Sequence, residues 1–589
     1  MSLIVQKFGG TSVADCEKIL AAARKAIRAQ QDGHQVVMVV SAMGKNTDML
    51  VDLAGQITER PPAREMDMLL STGEQVSVAL MAMAIDSLGF SAVSLTGAQI
   101  GIRTDSTHTK ARILSISTDR LQHHLDAGKI VIAAGFQGID EEFNITTLGR
   151  GGSDTTAVAL AAVLHADACE IHTDVDGVYT TDPRIMPEAR RVSRVSYDEM
   201  LELASLGAGV MHSRSIEFAK KFSVPIHVRS SFSDIPGTMI VSEPELSDRA
   251  VSGAALTRDE AKITAVGVPD VPGTSYEIFS RIADRNVTVD MIVQNIGDGG
   301  RADISFTVPR DELAVTLEAI DEARTVTGDF DVTHDDQVAK VSVVGMGMAT
   351  QAGVADRMFL ALSEAEINIK MITTSEIKIS TLVERDQALA ALRAVHNAFA
   401  LDQNPESIPP LADAGSRPPS DAADIVHQLQ NMERLRIDKI DLDDSQGRVT
   451  IHGVPNAPGV AERVFREIAE AGIFVDMIVQ SYPSDGEANL SFTVPKESIE
   501  QSKIVAENLA KDFPSLQVSS SPDVAKLSVS GIGLRSHTGV AIRMFRALSE
   551  TGINVQMINT SEVRVNVIVD GKDGEKARAA LEEVFSDVM

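Results

Sequence analysis

A long internal repeat is the feature that most constrains the fold of this chain. The segment 271–295 (VPGTSYEIFSRIADRNVTVDMIVQN) recurs as 457–481 (APGVAERVFREIAEAGIFVDMIVQS). The segment 353–380 recurs as 539–566 at the same offset of 186 residues. Because a repeated sequence folds into a repeated structure, the C-terminal half must contain one structural unit twice.

Each repeated unit is itself double. Gly273 and Gly353 open similar segments 80 residues apart, so four small modules follow the N-terminal part of the chain. Each module reads as a strand, a glycine turn, a helix with one apolar face, and strands that alternate apolar and polar residues, as in RADISFTVP. Units of this kind are typical of the ferredoxin-like βαββαβ plait.

The N-terminal part has a different pattern. Apolar strand-like runs such as QVVMVVSA and KIVIAAGF alternate with helical stretches such as SDTTAVALAAVLHA. This alternation predicts an α/β domain whose largely parallel sheet is covered on both faces. The predicted organisation is the α/β domain at 1–248, modules one to four at 263–338, 339–400, 447–522 and 523–589, and a linker rich in Pro, Ser and Asp at 401–432.

Charge and cysteine content narrow the classes of partner. A formal net charge of −29 repels nucleic acid and anionic membranes, so neither is an expected partner. Cys16 and Cys169 are the only cysteines, which excludes a disulfide framework and a CxxC zinc site. No apolar run approaches ~20 residues and the N-terminus does not resemble a signal peptide. We therefore expect a cytoplasmic location.

The segment KFGGTS (7–12) follows the first predicted strand. Gly9 and Gly10 allow backbone N–H groups to approach phosphate oxygens, Lys7 can place a cation on them, and the helix that begins near Asp15 adds its dipole. The segment lacks the spacing of a P-loop. A plain strand–turn–helix joint with a surface lysine is the alternative.

A second polar segment, SAMGKNTDML (41–50), also follows a strand. It offers the hydroxyl groups of Ser41 and Thr47 at a strand end, where ligands bind in open α/β sheets. On its own this pattern indicates no more than an N-cap and a turn.

The segment TTLGRGGSDTTAVALAA (146–162) is a glycine loop that enters an apolar helix. Arg150 can hold a carboxylate by two parallel hydrogen bonds, and Gly151, Gly152 and Ser153 can face a phosphate. Asp154 would be a simple N-cap in the alternative interpretation. A second nest before a helix in the same domain favours a phosphate held from two sides.

The segment HTDVDGVYTTDPR (172–184) follows another predicted strand. Its D-x-D-G run lacks the glycine position and the twelfth-position Glu of an EF-hand, which we therefore exclude. A polar loop at a strand end suits the base and ribose of a nucleotide. The candidate nucleotide-binding residues here are Thr173, Asp174, Tyr179, Asp182 and Arg184.

Four segments, KFGGTS, LSTGEQVS, LGRGGSDTTA and TDVDGVYTTDPR, occur in this order. Together they resemble the signatures of aspartate kinases, which are members of the amino-acid kinase family. The four C-terminal modules resemble ACT domains, and four of them in two tandem pairs is similar to the cyanobacterial type. The resemblance covers essentially the whole chain. It implies an amino-acid kinase α/β sandwich followed by four ferredoxin-like ACT modules.

The resemblance also implies an activity: phosphoryl transfer from ATP to the side-chain carboxylate of L-aspartate, the first step of lysine, threonine and methionine biosynthesis. A carboxylate with a pKa near ~4 is ionised at pH 7, so the reaction needs in-line positioning and charge neutralisation rather than a general base. By resemblance, Lys7 neutralises charge and Asp154 orients Lys7. Mg²⁺ is expected on the nucleotide phosphates, without a metal site of the protein's own.

Binding of aspartate is implied at three points. Arg150 would bind the α-carboxylate, Glu74 the α-ammonium, and Ser41 and Thr47 would supply hydroxyl groups. From the residues alone, Glu74 is equally an exposed carboxylate in the first turn of a helix, where the dipole favours it.

The modules are expected to bind lysine, threonine or both as feedback inhibitors. Asp290 and Asp476 end a strand in modules one and three, where the corresponding positions of modules two and four are Lys370 and Gln556. An acidic residue there could pair with an effector's ammonium, or be only a polar strand end. The candidate effector residues are Asp270, Gly273, Asp290, Gln294, Asn295, Asn456, Gly459, Asp476 and Gln480. A homodimer paired through ACT modules is also expected.

Two other functions compete with this interpretation. A kinase of the same fold could act on glutamate or acetylglutamate, although the ACT modules and the KFGGTS form of the glycine turn argue against it. A non-catalytic amino-acid sensor could retain the fold, although every polar position named above has a chemically competent residue.

Overall fold

The computed structural model describes residues 2–207, 210–245, 249–296, 300–349, 351–405, 435–482, 487–511, 516–532, 534 and 539–589. The predicted linker at 401–432 lies outside the described residues from 406 onward.

The N-terminal domain consists of twelve strands and eight α-helices within the described residues. The strands are β1 (Leu3–Phe8), β2 (Gln35–Val40), β3 (Ala92–Leu95), β4 (Ile102–Thr104), β5 (Ile113–Ile116), β6 (Ile130–Ala134), β7 (Gln137–Ile139), β8 (Ile145–Thr147), β9 (Ala168–Thr173), β10 (Arg194–Ser196), β11 (Ile226–Ser230) and β12 (Thr238–Val241). The helices are α1 (Cys16–Gln31), α2 (Asn46–Ile57), α3 (Ala63–Ser87), α4 (Gly97–Ile100), α5 (Asp119–Asp126), α6 (Gly152–Val163), α7 (Tyr197–Ser205) and α8 (Ser213–Phe222).

The main sheet of this domain has eight strands in the order β10-β12-β11-β9-β1-β2-β6-β3. All its strand pairs are parallel except β11 with β12. Helices α1 and α3 pack on one face, and α5, α6, α7 and α8 contribute to the core on the other. The prediction of a largely parallel sheet covered on both faces is confirmed. A small second sheet, β5-β4-β7-β8, was not predicted because its strands are only three or four residues long.

The half of the chain that contains the four modules begins at residue 253. Its elements in the first copy are β13 (Gly253–Pro269), α9 (Thr274–Asp284), β14 (Asp290–Ile296), β15 (Arg301–Pro309), α10 (Leu313–Thr327), β16 (Asp331–Val344), α11 (Val354–Glu364), β17 (Met371–Thr374), β18 (Lys378–Glu384) and α12 (Ala388–Ala398). Those in the second copy are β19 (Arg436–Asp443), β20 (Gln446–Pro455), α13 (Val460–Glu470), β21 (Ile478–Ser481), β22 (Glu487–Pro495), α14 (Ile499–Ala510), β23 (Gln517–Ser521), β24 (Val524–Ile532), α15 (Gly539–Glu550), β25 (Met557–Thr560), β26 (Arg564–Asp570) and α16 (Gly574–Phe585).

Modules one and three have the predicted βαββαβ order, with antiparallel sheets. Modules two and four differ, because no described strand follows their second helix, α12 or α16. Their fourth strand comes from before the preceding module: residues 253–257 of β13 pair with β16, and β19 pairs with β24. In modules two and four, a strand from earlier in the sequence thus takes the place of the strand that would follow the second helix. Modules one and three are therefore inserted between this strand and the rest of modules two and four.

The modules pair within one chain. β17 of module two and β21 of module three form an antiparallel ladder from Met371–Ser481 to Thr373–Val479. β14 of module one lies beside β25 of module four. The sequence predicted that ACT modules pair side by side, and here the duplication supplies both partners of each pair within one chain.

One helix within the described residues, α3, is long and apolar enough by length and composition to cross a membrane. Its buried residues include Asp67, Ser71, Glu74 and Ser77. Buried charged and hydroxyl side chains of this kind are typical of a helix packed inside a protein core. The same face of α3 contributes to one wall of the cavity described next.

Candidate active site

A cavity of about 900 Å³ opens at the carboxyl ends of β1 and β2. Open α/β sheets bind their ligands at this edge. The lining residues include ten of the predicted site residues, which come from four segments; the first eight are Lys7, Gly10, Ser41, Thr47, Glu74, Arg150, Gly151 and Gly152. Ser153 and Asp154 complete the wall at the start of α6. Segments far apart in sequence therefore meet in one site.

Lys7 and Asp154 form an ion pair in this cavity. Lys7 Nζ lies 2.6 Å from Asp154 Oδ1, and both side chains are about nine-tenths buried. Lys7 stands at the end of β1 and Asp154 in the first turn of α6, so the sheet and the helix fix the pair from two sides. The carboxylate can therefore hold the ammonium in place beside a bound phosphate.

The two glycines after β1 are not equivalent. The N–H of Gly9 donates to the carbonyl of His172 at 3.3 Å, and Gly9 is not part of the cavity wall. Gly10 does line the cavity. A Cβ at Gly10 would lie 2.8 Å from the carbonyl oxygen of Ala42, so only glycine lets the β1 turn pack this closely on the loop after β2. Gly10 is the better phosphate candidate of the two.

The start of α6 is the second candidate for binding an anion. Gly151, the N-cap, has a φ of 72°, which favours glycine, and a Cβ there would collide with His212. The N–H of Gly152 donates to the carbonyl of Gly149 at 3.0 Å. The next N–H groups, of Ser153 and Asp154, have no acceptor within the helix, as is general at helix N-termini. They can bind phosphate oxygens.

Glu74 is buried in the middle of α3 rather than exposed in a first turn, because the helix already begins at Ala63. Gly73 leaves room for Ala42, which a Cβ would approach to 2.8 Å. The N–H of Ala42 donates to Glu74 Oε1 at 3.0 Å, while Oε2 is buried without a hydrogen-bond partner in the described part of the chain. Burial raises the pKa of Glu74 to about 7, although the Ala42 N–H opposes this shift.

The other predicted substrate residues surround Glu74. Ser41 follows β2 and Thr47 stands in the first turn of α2. Arg150 is exposed in the loop that leads to α6. All three line the cavity with Glu74, so a carboxylate and a guanidinium face the same space. An amino acid carries the two complementary charges.

The predicted nucleotide residues of the 172–184 segment do not line this cavity. They follow β9, the strand beside β1 in the sheet. Asp182 accepts hydrogen bonds from the guanidinium of Arg184 at 2.7–3.1 Å, and Tyr179 donates to Asp176 at 2.8 Å. Thr173 donates to Asp174 at 3.2 Å. The loop is therefore braced by its own polar side chains next to the phosphate-binding turn.

Sequence reasoning missed several residues of the cavity wall, among them Thr109, Lys110, His212 and Arg214. His212 caps α8 by accepting the N–H of Arg214. The Arg214 guanidinium donates to the carbonyls of Leu148 and Ala111. The sequence MHSRS has no glycine nest or strand end, and its one local signal is a helix cap.

The cavity wall includes two carboxylates, Glu74 and Asp154. No group of three or more His, Cys, Asp or Glu residues that could hold a metal ion occurs within the described residues. This donor set cannot form a protein cage for Mg²⁺. It is compatible with an ion carried by nucleotide phosphates, which needs few protein ligands.

Asp290 begins β14 and Asp476 lies just before β21, so the prediction that they end a strand is wrong. Each of their carboxylates is paired with a lysine. Asp290 Oδ2 lies 2.5 Å from Lys340 Nζ, and Asp476 Oδ2 lies 2.5 Å from Lys526 Nζ. Lys340 has a second partner, Glu260, at 2.7 Å. Burial by itself would lower the pKa of Lys340, but the two carboxylates outweigh it and hold that pKa above its usual value. An effector's ammonium would have to share or replace a lysine at these positions.

Two further predicted effector residues lie at the contacts between modules. Asp270 Oδ1 accepts a hydrogen bond from Asn554 of module four at 2.8 Å. The corresponding Asn456 accepts one from Asn368 of module two at 2.7 Å. The contact between modules one and four and the contact between modules two and three thus share this hydrogen bond. Its acceptor is the carboxylate of Asp270 in the first contact and the amide of Asn456 in the second.

The glutamines of β14 and β21 also make hydrogen bonds. Gln294 donates to the carbonyl of Val555 across the contact between modules one and four, at 2.7 Å. Gln480 donates to Tyr482 at 2.9 Å, and its Oε1 is buried without a hydrogen-bond partner in the described part of the chain. The side chain of Asn295 lies outside the described residues.

Gly273 and Gly459 cap α9 and α13 with φ values of 100° and 83°. A Cβ on Gly273 would lie 2.7 Å from Ser549 Oγ of module four, and one on Gly459 would lie 3.0 Å from Ser363 Oγ of module two. These glycines therefore permit both the turn and the close approach of the partner module.

Each module contact contains a cavity. The cavity between modules one and four, of about 110 Å³, is lined by Asp290 and Glu562. The cavity between modules two and three, of about 240 Å³, is lined by Asp476 and Glu376. The lining positions of the two cavities correspond through the repeat.

The fold and the site define a class. A largely parallel sheet with a glycine turn, a lysine–aspartate pair and the N-terminus of α6 around one cavity places the chain among the phosphotransferases of the amino acid kinase family. The model of that family matches residues 2–230, and the ACT domain model matches 263–323, 341–399, 449–508 and 527–585.

Known relatives are more specific. An aspartate kinase of Stutzerimonas stutzeri is 52% identical over 404 residues, which is 68% of this chain and 98% of the relative. An aspartokinase of Pseudomonas aeruginosa is 52% identical over 405 residues, with the same shares covered. The chain belongs to the aspartate kinase family.

Solved structures agree with this assignment. The crystal structure of aspartate kinase from Synechocystis covers 99% of this chain and 98% of its own, with 41% identity and a TM-score of 0.52. E. coli aspartokinase III in complex with aspartate and ADP covers 67% of this chain and 99% of its own, with 25% identity and a TM-score of 0.57. The same enzyme has been solved with lysine and aspartate, at 26% identity and a TM-score of 0.55.

Proposed function

We propose that the protein transfers the terminal phosphoryl group of ATP to the side-chain carboxylate of L-aspartate, giving 4-phospho-L-aspartate and ADP. This reaction would be the first step toward lysine, threonine and methionine, in the cytoplasm. The observation that carries the proposal is the buried, unpartnered Oε2 of Glu74, which can receive an ammonium in the same cavity as the Lys7–Asp154 pair. The aspartate and ADP complex of the E. coli relative supports it.

The chain's residues suit a reaction that needs charge neutralisation. Lys7 Nζ, held at 2.6 Å by Asp154, would stabilise the charge on the transferring phosphoryl group. Gly10 and the first N–H groups of α6 would bind phosphate oxygens from two sides. The attacking carboxylate is already ionised, so no side chain must remove a proton from it. Mg²⁺ bound to the phosphates would add further positive charge.

Binding of aspartate would use both of its α-groups. Glu74 would receive the ammonium and Arg150 would hold the α-carboxylate through two hydrogen bonds. Ser41 and Thr47 would orient the substrate from the loop after β2. The ammonium would also lower the cost of burying an ionised Glu74.

The nucleotide's base and ribose are proposed to lie on the loop after β9. Thr173, Asp174, Tyr179, Asp182 and Arg184 stay candidates for this part of the site, and Gly9 stays a candidate for the phosphates. Because Arg184 is paired with Asp182, we expect its guanidinium to shape the loop more than to contact phosphate.

Feedback inhibition by lysine, threonine or both is proposed to act through the contacts between modules. Modules one and three would supply the effector residues, and modules two and four the facing surfaces. The cavities lined by Asp290 and by Asp476 support this arrangement, as does the lysine complex of the E. coli relative. The carboxylate of Asp270 against the amide of Asn456 would let the two sites differ in effector.

The proposed domain boundaries stay those given above, with residues 253–257 and 436–443 added to modules two and four as edge strands. A homodimer is also proposed. Since the described edges of β17 and β21 already pair within the chain, its contact would use other surfaces. Light scattering of the purified protein would measure its mass in solution.

Substrate choice is tested by ADP release with aspartate, glutamate and acetylglutamate, each supplied with ATP and Mg²⁺. We expect aspartate-dependent release and at most trace release with the other two. Release with glutamate or acetylglutamate alone would indicate another amino-acid kinase. No release with any of them, together with calorimetric binding of an amino acid, would indicate a sensor.

The effector sites are tested with Asp290→Asn and Asp476→Asn, which keep a hydrogen-bond acceptor beside each lysine. Each should raise the inhibitory concentration of its effector by about tenfold, as expected for a coupling of 1–3 kcal/mol. Asp476→Asn should lower the free energy of unfolding more than Asp290→Asn. Lys340 keeps Glu260 as a second carboxylate partner, whereas the position that corresponds to Glu260 beside Lys526 is Gln446. Undiminished binding of lysine and threonine to the double variant would place the sites elsewhere.

A further inference from the structure

A second buried carboxylate lies on α3, below the cavity. Asp67 is fully buried, and its carboxylate accepts three kinds of hydrogen bond. His108 Nδ1 lies 2.7 Å from Oδ2, the N–H of Thr109 lies 3.0–3.1 Å from both oxygens, and Thr147 Oγ1 lies 2.5 Å from Oδ1. A carboxylate is buried at such cost only where it is satisfied in this way.

The partners of Asp67 belong to the two segments that form one wall of the cavity. Thr109 and Lys110 line the cavity from the loop between β4 and β5. Thr109 has a φ of 67°, which is strained for a β-branched residue, and its N–H bond to Asp67 can hold it there. The strain indicates that the surrounding contacts impose this loop conformation.

The second segment leads from β8 to Arg150. Thr147 ends β8, and a Cβ on Gly149 would lie 2.9 Å from the carbonyl oxygen of Thr109. The two segments are therefore packed backbone against backbone immediately before Arg150. On the far side, Arg214 donates to Leu148 and Ala111, one carbonyl from each segment.

Asp67 and Glu74 are seven residues apart on α3, so they lie on the same face of the helix. We propose that Asp67 is a positioning residue for substrate binding: it ties the Thr109 loop and the Thr147–Arg150 segment to the helix that carries Glu74. It would thereby fix the distance between the carboxylate that receives the α-ammonium and the guanidinium that receives the α-carboxylate. This inference rests on the proposed function, because it assumes that both groups bind aspartate.

The inference has a kinetic signature. Asp67 does not line the cavity, and its hydrogen bonds in the described part of the chain go to His108, Thr109 and Thr147, which lie outside the turn after β1 and the start of α6. Loss of its hydrogen bonds should displace Arg150 relative to Glu74 and leave the ATP site nearly unchanged. A displacement of a substrate-binding group by about 1 Å can lower the rate of an enzymatic reaction by up to about 100-fold.

The test is steady-state kinetics of Asp67→Asn in the full-length protein, with aspartate and ATP varied separately. The amide keeps the shape of the side chain but cannot accept all the hydrogen bonds. We expect the KM for aspartate to rise at least about tenfold and the KM for ATP to change less than about twofold. Asp86→Asn, at the exposed end of the same helix, is the matched control and should match the wild type.

Thr147→Val provides an independent variant, because it removes one hydrogen bond to Asp67 and keeps the side-chain shape. It should raise the KM for aspartate several-fold, and should add little in the Asp67→Asn background if the two residues act as a unit. Should Asp67→Asn fail to fold by circular dichroism, Thr147→Val decides the question.

An unchanged KM for aspartate in a folded Asp67→Asn protein, or equal increases for aspartate and ATP, would overturn the inference. The same holds for an unchanged KM in Thr147→Val when Asp67→Asn does not fold. These outcomes require an active wild type and leave the proposed function intact. A wild-type protein that releases no ADP with aspartate would overturn the proposed function and this inference with it.

Discussion

At the scale of single residues, Lys7 is the cation proposed to neutralise charge on the phosphates, and Asp154 holds it in place at 2.6 Å. Lys7→Ala should lower kcat by about 10²–10³, the usual loss for one transition-state electrostatic contact. Steady-state kinetics with saturating aspartate and ATP measure this loss. Lys18→Ala, a half-exposed lysine on α1, is the control and should retain activity. A folded Lys7→Ala protein with near-wild-type kcat would contradict the assignment.

If Glu74 receives the ammonium of aspartate as proposed, aspartate binding should depend on pH. With a pKa of about 7 in the free protein, its carboxyl is about nine-tenths protonated at pH 6 and about one-tenth protonated at pH 8. Only the ionised form can pair with the substrate's ammonium. The KM for aspartate should therefore fall about tenfold between pH 6 and pH 8, and the measurement is kcat/KM for aspartate across that range.

The control for this prediction is Glu74→Gln, which should bind aspartate weakly and lose the pH dependence. A KM that is flat from pH 6 to pH 8 in the wild type would show that Glu74 does not titrate there. The same raised pKa determines how Glu74 affects the free energy of unfolding. Its stabilising contribution is present below its pKa in the unfolded chain, about 4.5, and is lost as the pH rises through about 7.

At the scale of elements, the site depends on how closely the turn after β1 packs on the loop after β2. A Cβ on Gly10 would lie 2.8 Å from the carbonyl oxygen of Ala42 and 3.3 Å from that of Gly44, both backbone atoms that cannot rotate away. Gly10→Ala should therefore push apart the phosphate turn and the loop that carries Ser41. We expect the KM for both ATP and aspartate to rise by about tenfold or more.

Gly55→Ala is the matched control for Gly10→Ala. Gly55 lies inside α2, and a Cβ there meets nothing within 4 Å. Alanine should slightly stabilise this helix and leave the kinetics unchanged. Equal kinetics for the two variants would show that the packing of the β1 turn does not matter for binding.

At the scale of the whole molecule, α7 connects the catalytic domain to the regulatory modules. Glu199 Oε1 accepts the N–H of Met346 from module two at 3.1 Å. Glu202 accepts the N–H of Glu562 from module four at 3.0 Å, and its other oxygen lies 2.8 Å from Lys378 Nζ of module two. Glu562 also lines the cavity between modules one and four. A ligand in that cavity can therefore act on α7 through one residue.

Glu202→Gln should weaken this connection. Glutamine can still accept the N–H of Glu562 but leaves the buried charge of Lys378 without its partner. We expect a lower melting temperature, since breaking a buried ion pair typically costs about 3–5 kcal/mol. We also expect the inhibitory concentration of lysine or threonine to rise by about tenfold while the uninhibited kcat changes little.

The control for Glu202→Gln is Asp198→Asn on the same helix. Asp198 pairs with Lys220 at 2.6 Å within the catalytic domain, at a partly exposed position. Its loss should leave the response to both amino acids unchanged. If Glu202→Gln is inhibited like the wild type, α7 does not transmit the effector signal.

The sequence by itself determined the number of modules and the class of each domain. An offset of 186 residues fixes a duplicated unit, and the alternation of strand and helix patterns fixes a parallel sheet. Lys7, Arg150 and Asp154 could be selected because they stand in glycine-rich segments at strand ends. The repeat is read directly from the sequence, and the signals that selected these three residues are local, since each depends on residues within about one turn or one strand of the chain.

The tertiary structure alone decided which segments meet. It placed Asp67 against Thr147, brought Arg214 under the Arg150 loop, and buried Glu74 deeply enough to raise its pKa. It also paired module one with module four and module two with module three. Each of these outcomes joins residues far apart in sequence, and their energy comes from burial and from hydrogen bonds that exist only once the chain has folded.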